Sequence, residues 1–166
     1  MRRITVAAAA IAIACGSISS GGGAGTAAAQ PTATGPIVMP FGQALRRCDF
    51  SEFQYSGAGW YGRPTAELRI GGGEVVADVR FATGVPNARY DVRLIQMPRP
   101  GSIYCNPGDP GVMGGVLFTD NAGSGATTLR APIMSGATGA WMSLTRPSPY
   151  SQQPDEFYTT DAIVHF

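Results

Sequence analysis

The sequence predicts an all-β protein, an antiparallel β-sandwich of about eight short strands, on two observations. First, apolar and polar residues alternate with period two in several runs between Arg47 and Phe166, which is typical of half-buried strands. Second, segments rich in glycine and proline separate these runs, and no stretch of roughly ten residues beyond residue 30 has helical periodicity. Short strands at regular spacing favour a sandwich over a parallel α/β fold.

Residues 1–29 are predicted to be a signal peptide and not part of the fold. Arg2 and Arg3 are followed by an uncharged apolar run over residues 4–14 and then by small residues. Two processing routes are open. Cleavage before Gln30 fits the three alanines at 27–29, whereas residues 12–15 resemble the lipobox of bacterial lipoproteins, which implies lipidation of Cys15. Ala12 departs from that pattern, which prefers a large aliphatic residue. Either route predicts a secreted or cell-envelope protein.

Cys48 and Cys105 are predicted to form a disulfide. Once Cys15 is removed or lipidated, they are the two cysteines left in an exported domain, where paired cysteines are usually oxidised. A metal site is disfavoured because there is no CxxC motif and His165 is the single histidine. Two free thiols are the remaining alternative.

The elements of the first half follow in order. Residues 30–46 are rich in proline and glycine and are expected to form an irregular N-terminal arm, so that the sandwich domain spans residues 47–166. A first strand is expected from Arg47, and residues 57–62 are expected to form a loop. Two alternating runs around the glycines at 71–73 predict a hairpin. Its inward positions are Ala66, Leu68, Ile70, Val75, Ala77, Val79 and Phe81.

The second half continues the alternation. A strand with Tyr90 directed inward precedes a long loop over residues 97–114, which contains Cys105. Val116 and Phe118 are expected to share a face, and residues 120–125 have the composition of a turn. The last inward rows are Ala140, Met142 and Leu144, and then alternate residues from Tyr158 to Phe166.

Two features of the sequence resemble known groups of proteins. Pro86 and Tyr90, before an alternating strand, resemble the tyrosine corner of fibronectin type III and immunoglobulin-like sandwiches. This resemblance implies an Ig-like, Greek-key topology and a hydrogen bond from the phenol to upstream backbone, but no activity. The leader, the absence of lysine and the two-cysteine domain resemble the small exported proteins of mycobacteria and related actinobacteria. That resemblance is compositional, and it implies no function.

Charge and hydropathy exclude several partner classes. The net charge of +1 leaves no basic stripe to neutralise phosphates, so a nucleic-acid partner is not expected. No apolar run reaches the roughly 20 residues of a transmembrane helix, so no span is expected after processing. The sequence does not fix an oligomeric state.

No catalytic residue, metal ligand or cofactor is assigned. His165 has no GxSxG motif to accompany it. Residues 120–125 lack the ligand spacing of an EF-hand and fit a hairpin turn. A carboxylate pair for glycoside hydrolysis would have to come from Glu52, Glu67, Glu74, Asp78 or Asp91. Most of these acids are expected on outward faces next to arginines, as on solvated strand surface.

Four aromatic residues are candidate binding residues. Trp60 and Tyr61 lie in the glycine-rich loop, Tyr104 lies in the long loop, and Trp141 lies opposite an inward row. Burial of the tryptophans is the alternative. We therefore expect a non-catalytic binding or interaction module of the cell envelope or extracellular space. The alternative is a small carboxylate-dependent cell-envelope hydrolase.

Overall fold

The structure, a computed structural model, describes residues 35–54 and 61–166, and within them the chain is all-β with no helix. The signal segment, Cys15 and Trp60 lie outside the described residues. The strands are β1 Ile37–Gly42, β2 Leu45–Arg46, β3 Glu52–Phe53, β4 Arg63–Gly71, β5 Glu74–Ala82, β6 Arg89–Met97, β7 Val112–Phe118, β8 Gly125–Pro132, β9 Gly139–Arg146, β10 Glu156–Thr160 and β11 Val164–His165.

The main sheet is antiparallel throughout and has the order β7-β6-β9-β10-β1-β4-β5-β8, with β11 also paired to β9. Strands β7 and β8, the two ends of this order, contact each other, so the sheet is nearly closed and barrel-like. Strands β2 and β3 form a separate two-stranded hairpin. The all-β class and antiparallel pairing are confirmed, but the strands do not clearly form the two packed sheets of an Ig-like sandwich.

Strand β1 joins the two halves of the sheet. Residues 37–40 pair with β4, and Phe41 and Gly42 pair with β10. The expectation of an irregular arm over residues 30–46 is therefore wrong where the structure describes it, because β1 and β2 lie there. Pro40 and Gly42 suggest a loop, but the pairing partners of β1 are distant in sequence and override local propensity.

The hairpin of β4 and β5 is confirmed. Ile70 pairs with Val75, and Gly71 with Glu74, which leaves a two-residue turn. Gly72 and Gly73 have φ values of 59° and 79°, and a type I′ turn requires such positive values at both central residues.

The core lies on the inner face of the sheet and contains most of the predicted inward residues. The expected rows of β4, β5, β6 and β9 are buried there, so their register was predicted correctly. In β7, Val116 and Phe118 share a face as expected, but it is the exposed outer face, and Leu117 enters the core. The buried core residues are Met39, Ala66, Leu68, Val75, Ala77, Val79, Phe81, Tyr90, Val92, Leu94, Leu117, Leu129, Ala131, Ala140, Met142, Leu144, Tyr158 and Val164.

A second, smaller cluster covers the outer face of β6 and β9. The Cys48–Cys105 disulfide, with a Cα–Cα distance of 5.7 Å, packs there with Ile95 and Trp141. The predicted disulfide is thus confirmed, whereas the first strand predicted from Arg47 is wrong. Residues 47–51 form the turn of the β2–β3 hairpin, in which the Arg47 amide donates to the Ser51 carbonyl at 2.8 Å.

Replacing Cys48 or Cys105 by serine should lower the free energy of unfolding by roughly 2–5 kcal/mol. The disulfide closes a loop between residues 57 apart in sequence, for which loop entropy gives about 4 kcal/mol. Urea denaturation measures the loss. Limited proteolysis should cut first between residues 98 and 111, while the β4–β5 hairpin stays intact. The double variant Cys48→Ser/Cys105→Ser is the matched control, and it should lose as much stability as either single variant. A single variant as stable as the unsubstituted protein would contradict the disulfide.

Candidate functional site

A cavity of about 380 Å³ lies between the outer face of the sheet and the β2–β3 hairpin. Its floor is built by strand register. Ile95 lies opposite Trp141, and Arg93 lies opposite Ser143, which in turn lies opposite Thr159. Side chains two residues apart on a strand share a face, so these alternate positions of β6, β9 and β10 form one surface.

The hairpin and residues 101–105 form the wall of the cavity, and the disulfide ties them together. The hairpin is also attached to the sheet, because the Thr159 hydroxyl donates to the Ala44 carbonyl at 2.7 Å. Gly101 lies close to the hairpin turn. A Cβ atom at that position would lie 2.4 Å from a carboxylate oxygen of Asp49, so a larger residue would require the Asp49 side chain to move.

Three buried donors at this cavity have no hydrogen-bond acceptor among the described residues. They are Nε1 of Trp141, Nε of Arg93 and Nε of Arg46. Trp141 itself is only 2% exposed. Buried donors are nearly always paired, and one left unpaired costs about 1–3 kcal/mol. Three of the four such nitrogens in the described part of the chain belong to residues that line this one cavity.

The lining of this cavity contains no acidic side chain. The nearest acid along β6 is Asp91, and its carboxylate is already paired with Arg89 at 2.6 Å. Arg93 forms no ion pair with any described residue, whereas Arg46 donates to the Phe50 carbonyl at 3.1 Å and stacks on the Phe50 ring. Arg93 is therefore the cation of the site whose guanidinium is not already engaged.

Two of the four candidate aromatic residues meet at this cavity. Trp141 forms part of its floor, and Tyr104, which is 83% exposed, lies at its rim. Tyr61 is exposed but is not part of the lining, and Trp60 lies outside the described residues. Trp141 is on the face predicted for it, but it is buried there and not exposed, because the hairpin and the disulfide cover that face.

Sequence reasoning missed the polar part of the site, which consists of Arg46, Arg93, Ser143, Thr145 and Thr159. A signal was available in β9, where Trp141, Ser143 and Thr145 alternate with the core row. Such alternation identifies a second face, but it does not reveal that another element covers it.

A second buried polar cluster lies at one end of the core, around Glu156. This carboxylate accepts hydrogen bonds from Tyr90 at 2.7 Å and from Tyr158 at 2.5 Å, and it pairs with Arg146 at 3.2 Å. The phenol oxygen of Tyr90 also accepts from the Val85 amide, five residues upstream, at 3.1 Å. Burial, and then the hydrogen bond to Glu156, raise the pKa of both phenols above their ordinary value.

This second cluster is satisfied and has no free catalytic group. All three partners of Glu156 bind its two oxygens, and Glu156 is 1% exposed. Its carboxylate does not line the cavity described above. The cluster is therefore a structural network that fixes the end of β10 against β6 and β9.

None of the five acids considered for the hydrolase alternative is among the lining residues of the cavity described above. Glu67 and Asp78 lie opposite each other on β4 and β5. Hydrogen bonds from Thr128 and then Arg69 lower the pKa of Asp78, whereas a general acid needs a raised pKa. At residues 120–125, Oδ1 of Asp120 accepts the amides of Ala122 and Ser124, which makes this segment a turn stabilised by its own backbone.

Glu156→Gln should lower the free energy of unfolding by about 3 kcal/mol, because the amide nitrogen would face a donor and Arg146 would lose its buried counter-ion. Asp155→Asn is the matched control. Asp155 contacts the same guanidinium at 3.1 Å, but its side chain is 35% exposed, against 2% for Glu156. We expect a loss below about 1 kcal/mol for that exposed pair. Equal losses in urea denaturation would contradict the structural role of Glu156.

Comparisons of this chain with family models, with curated proteins and with solved structures find no match.

Proposed function

We propose that this protein is an exported, non-catalytic binding module of the cell envelope or extracellular space, and that the cavity beneath the β2–β3 hairpin is its ligand site. The observation that carries the proposal is a cavity of about 380 Å³ whose lining, among the described residues, combines apolar side chains with three arginines and no acid. Small-molecule sites are typically concave, mostly apolar and provided with a few polar groups, with volumes of about 300–1,000 Å³.

Export is supported by the leader and by the disulfide, which is compatible with an extracellular location. Among the described residues, no helix has the length and hydropathy needed to cross a bilayer. We also propose a relationship to Ig-like sandwiches. The hydrogen bond between Val85 and Tyr90 supports it, although a corner of this kind is a local device.

Protein recovered from its native source should lack residues 1–29 or carry a lipid on Cys15. Mass spectrometry of the intact chain distinguishes the two routes, since the first gives a start at Gln30 and the second a start at modified Cys15. Replacing Cys15 by alanine is the control, because it abolishes a lipid-dependent mass without affecting cleavage before Gln30. An unprocessed Met1 start in the envelope or medium would contradict export.

Ligand binding should perturb the signal of the Trp141 indole N–H, since the Trp141 ring is part of the cavity lining and a bound molecule would change its surroundings. In a ¹⁵N-labelled Trp60→Phe variant the remaining indole signal belongs to Trp141. A panel of fragments of mixed charge should include several that shift this signal at up to millimolar concentration. The added contacts should also raise Tm, since a ligand that binds only the native state stabilises it.

A cavity-filling variant tests the location of binding. Thr145→Phe should abolish the fragment-induced shift, because Thr145 lines the cavity and its hydroxyl has no recorded hydrogen bond to a described residue. Thr65→Phe is the matched control, since Thr65 lies exposed on β4 and is not part of the lining. Absence of any fragment that shifts the signal, or equal binding to both variants, would overturn the proposed function.

A further inference from the structure

We propose that the ligand of this cavity is a small molecule with one carboxylate on a compact apolar body, and that Arg93 binds the carboxylate. This inference rests on the proposed function and specifies the chemistry of the same site. It is drawn from the charge, the donor set and the apolar lining of the described residues.

The charge of the lining favours an anionic ligand. Arg46, Arg47 and Arg93 line the cavity, and none of the described lining residues is acidic. Arg46 contacts Phe50, and Arg47 donates to the Glu52 carbonyl at 3.2 Å while it stacks on Phe53. These contacts fix the two guanidiniums to the hairpin without neutralising them. Arg93 differs because its guanidinium makes no such contact with a described residue, so we assign the carboxylate to Arg93.

The donors around Arg93 suit a planar oxyanion. A guanidinium presents several N–H groups in a fixed fork, which matches the two oxygens of a carboxylate. Ser143 lies directly across the ladder from Arg93, and Thr145 lies across from Asp91 on the same face. Their hydroxyls make no hydrogen bond to a described residue, so each can donate to an oxygen of the bound group.

Most of the remaining lining is apolar. Ile95, Trp141 and Leu45 contribute apolar surface at the cavity, and so does the disulfide. Phe53 and Ile103, which are 39% and 42% exposed, lie at the opening, where a ligand would cover them. A volume of about 380 Å³ is near the lower end of ligand sites, which favours a compact ring system over a long chain.

Three probes of nearly equal shape test the ligand class. They are naphthalene-2-carboxylate, naphthalene-2-carboxamide and 2-naphthylmethylamine, each titrated at neutral pH against the Trp141 indole signal of the Trp60→Phe variant. The carboxylate should bind at least about tenfold more tightly than the carboxamide, since a hydrogen bond to a charged group contributes about 1.5–3 kcal/mol. The amine should bind most weakly.

Arg93→Gln should reduce the preference for carboxylate over carboxamide to about one. Arg93→Lys keeps the charge but loses the fork, so it should retain part of the preference. The matched control is Arg80→Gln, because Arg80 is exposed on β5 and does not line the cavity. It should keep the full preference. Tm and the ¹⁵N spectrum establish that each variant is folded, and Arg93→Lys serves as the test if Arg93→Gln does not fold.

The outcomes separate this inference from the proposed function. If the carboxamide binds as tightly as the carboxylate, or if Arg93→Gln keeps the preference, the carboxylate ligand is wrong while the binding site stands. If neither these probes nor any member of the mixed panel shifts the Trp141 signal, the proposed function itself fails. A carboxylate preference that depends on Arg93 and not on Arg80 supports both.

Discussion

The burial of β9 on both faces is the constraint on which the rest of the structure depends. Its inner row, Ala140, Met142 and Leu144, belongs to the core, while Trp141 and Ser143 are buried on the outer face. The outer face of a barrel strand can remain exposed to solvent when its residues are polar. A tryptophan on that face is usually buried by another element. The β2–β3 hairpin and residues 101–105 provide that cover incompletely, and the gap beneath them is the cavity.

The local parts of this fold could be predicted from the sequence, and its long-range parts could not. The β4–β5 hairpin follows from two alternating runs around Gly72 and Gly73, all within one short segment. Strand β1 was missed because its partners β4 and β10 lie far along the chain. Near-closure through β7 and β8 was missed for the same reason, since alternation gives the face of a residue and not the order of strands.

The candidate site was predictable only in part. Cysteine counting identified the disulfide, and aromatic residues in loops and on outward faces pointed to Trp141 and Tyr104. Arg93 carried no signal, because many strands alternate arginine with apolar residues, and only the structure shows which arginines line the cavity. Glu156 was likewise unremarked. Its phenol partners have a raised pKa in the native state, so their contribution to stability is complete below the ordinary phenol pKa of about 10 and is lost as the pH rises further.

The disulfide also makes the binding site dependent on the redox state of its surroundings. One wall of the cavity carries Cys48 and the other carries Cys105, so their bond holds the two walls at a fixed separation. In a reducing compartment the thiols would leave residues 101–105 without this tether, and the cavity would lose its shape although the inner core remained. Under the proposed function, a newly made chain would become able to bind a ligand only after it reached an oxidising environment.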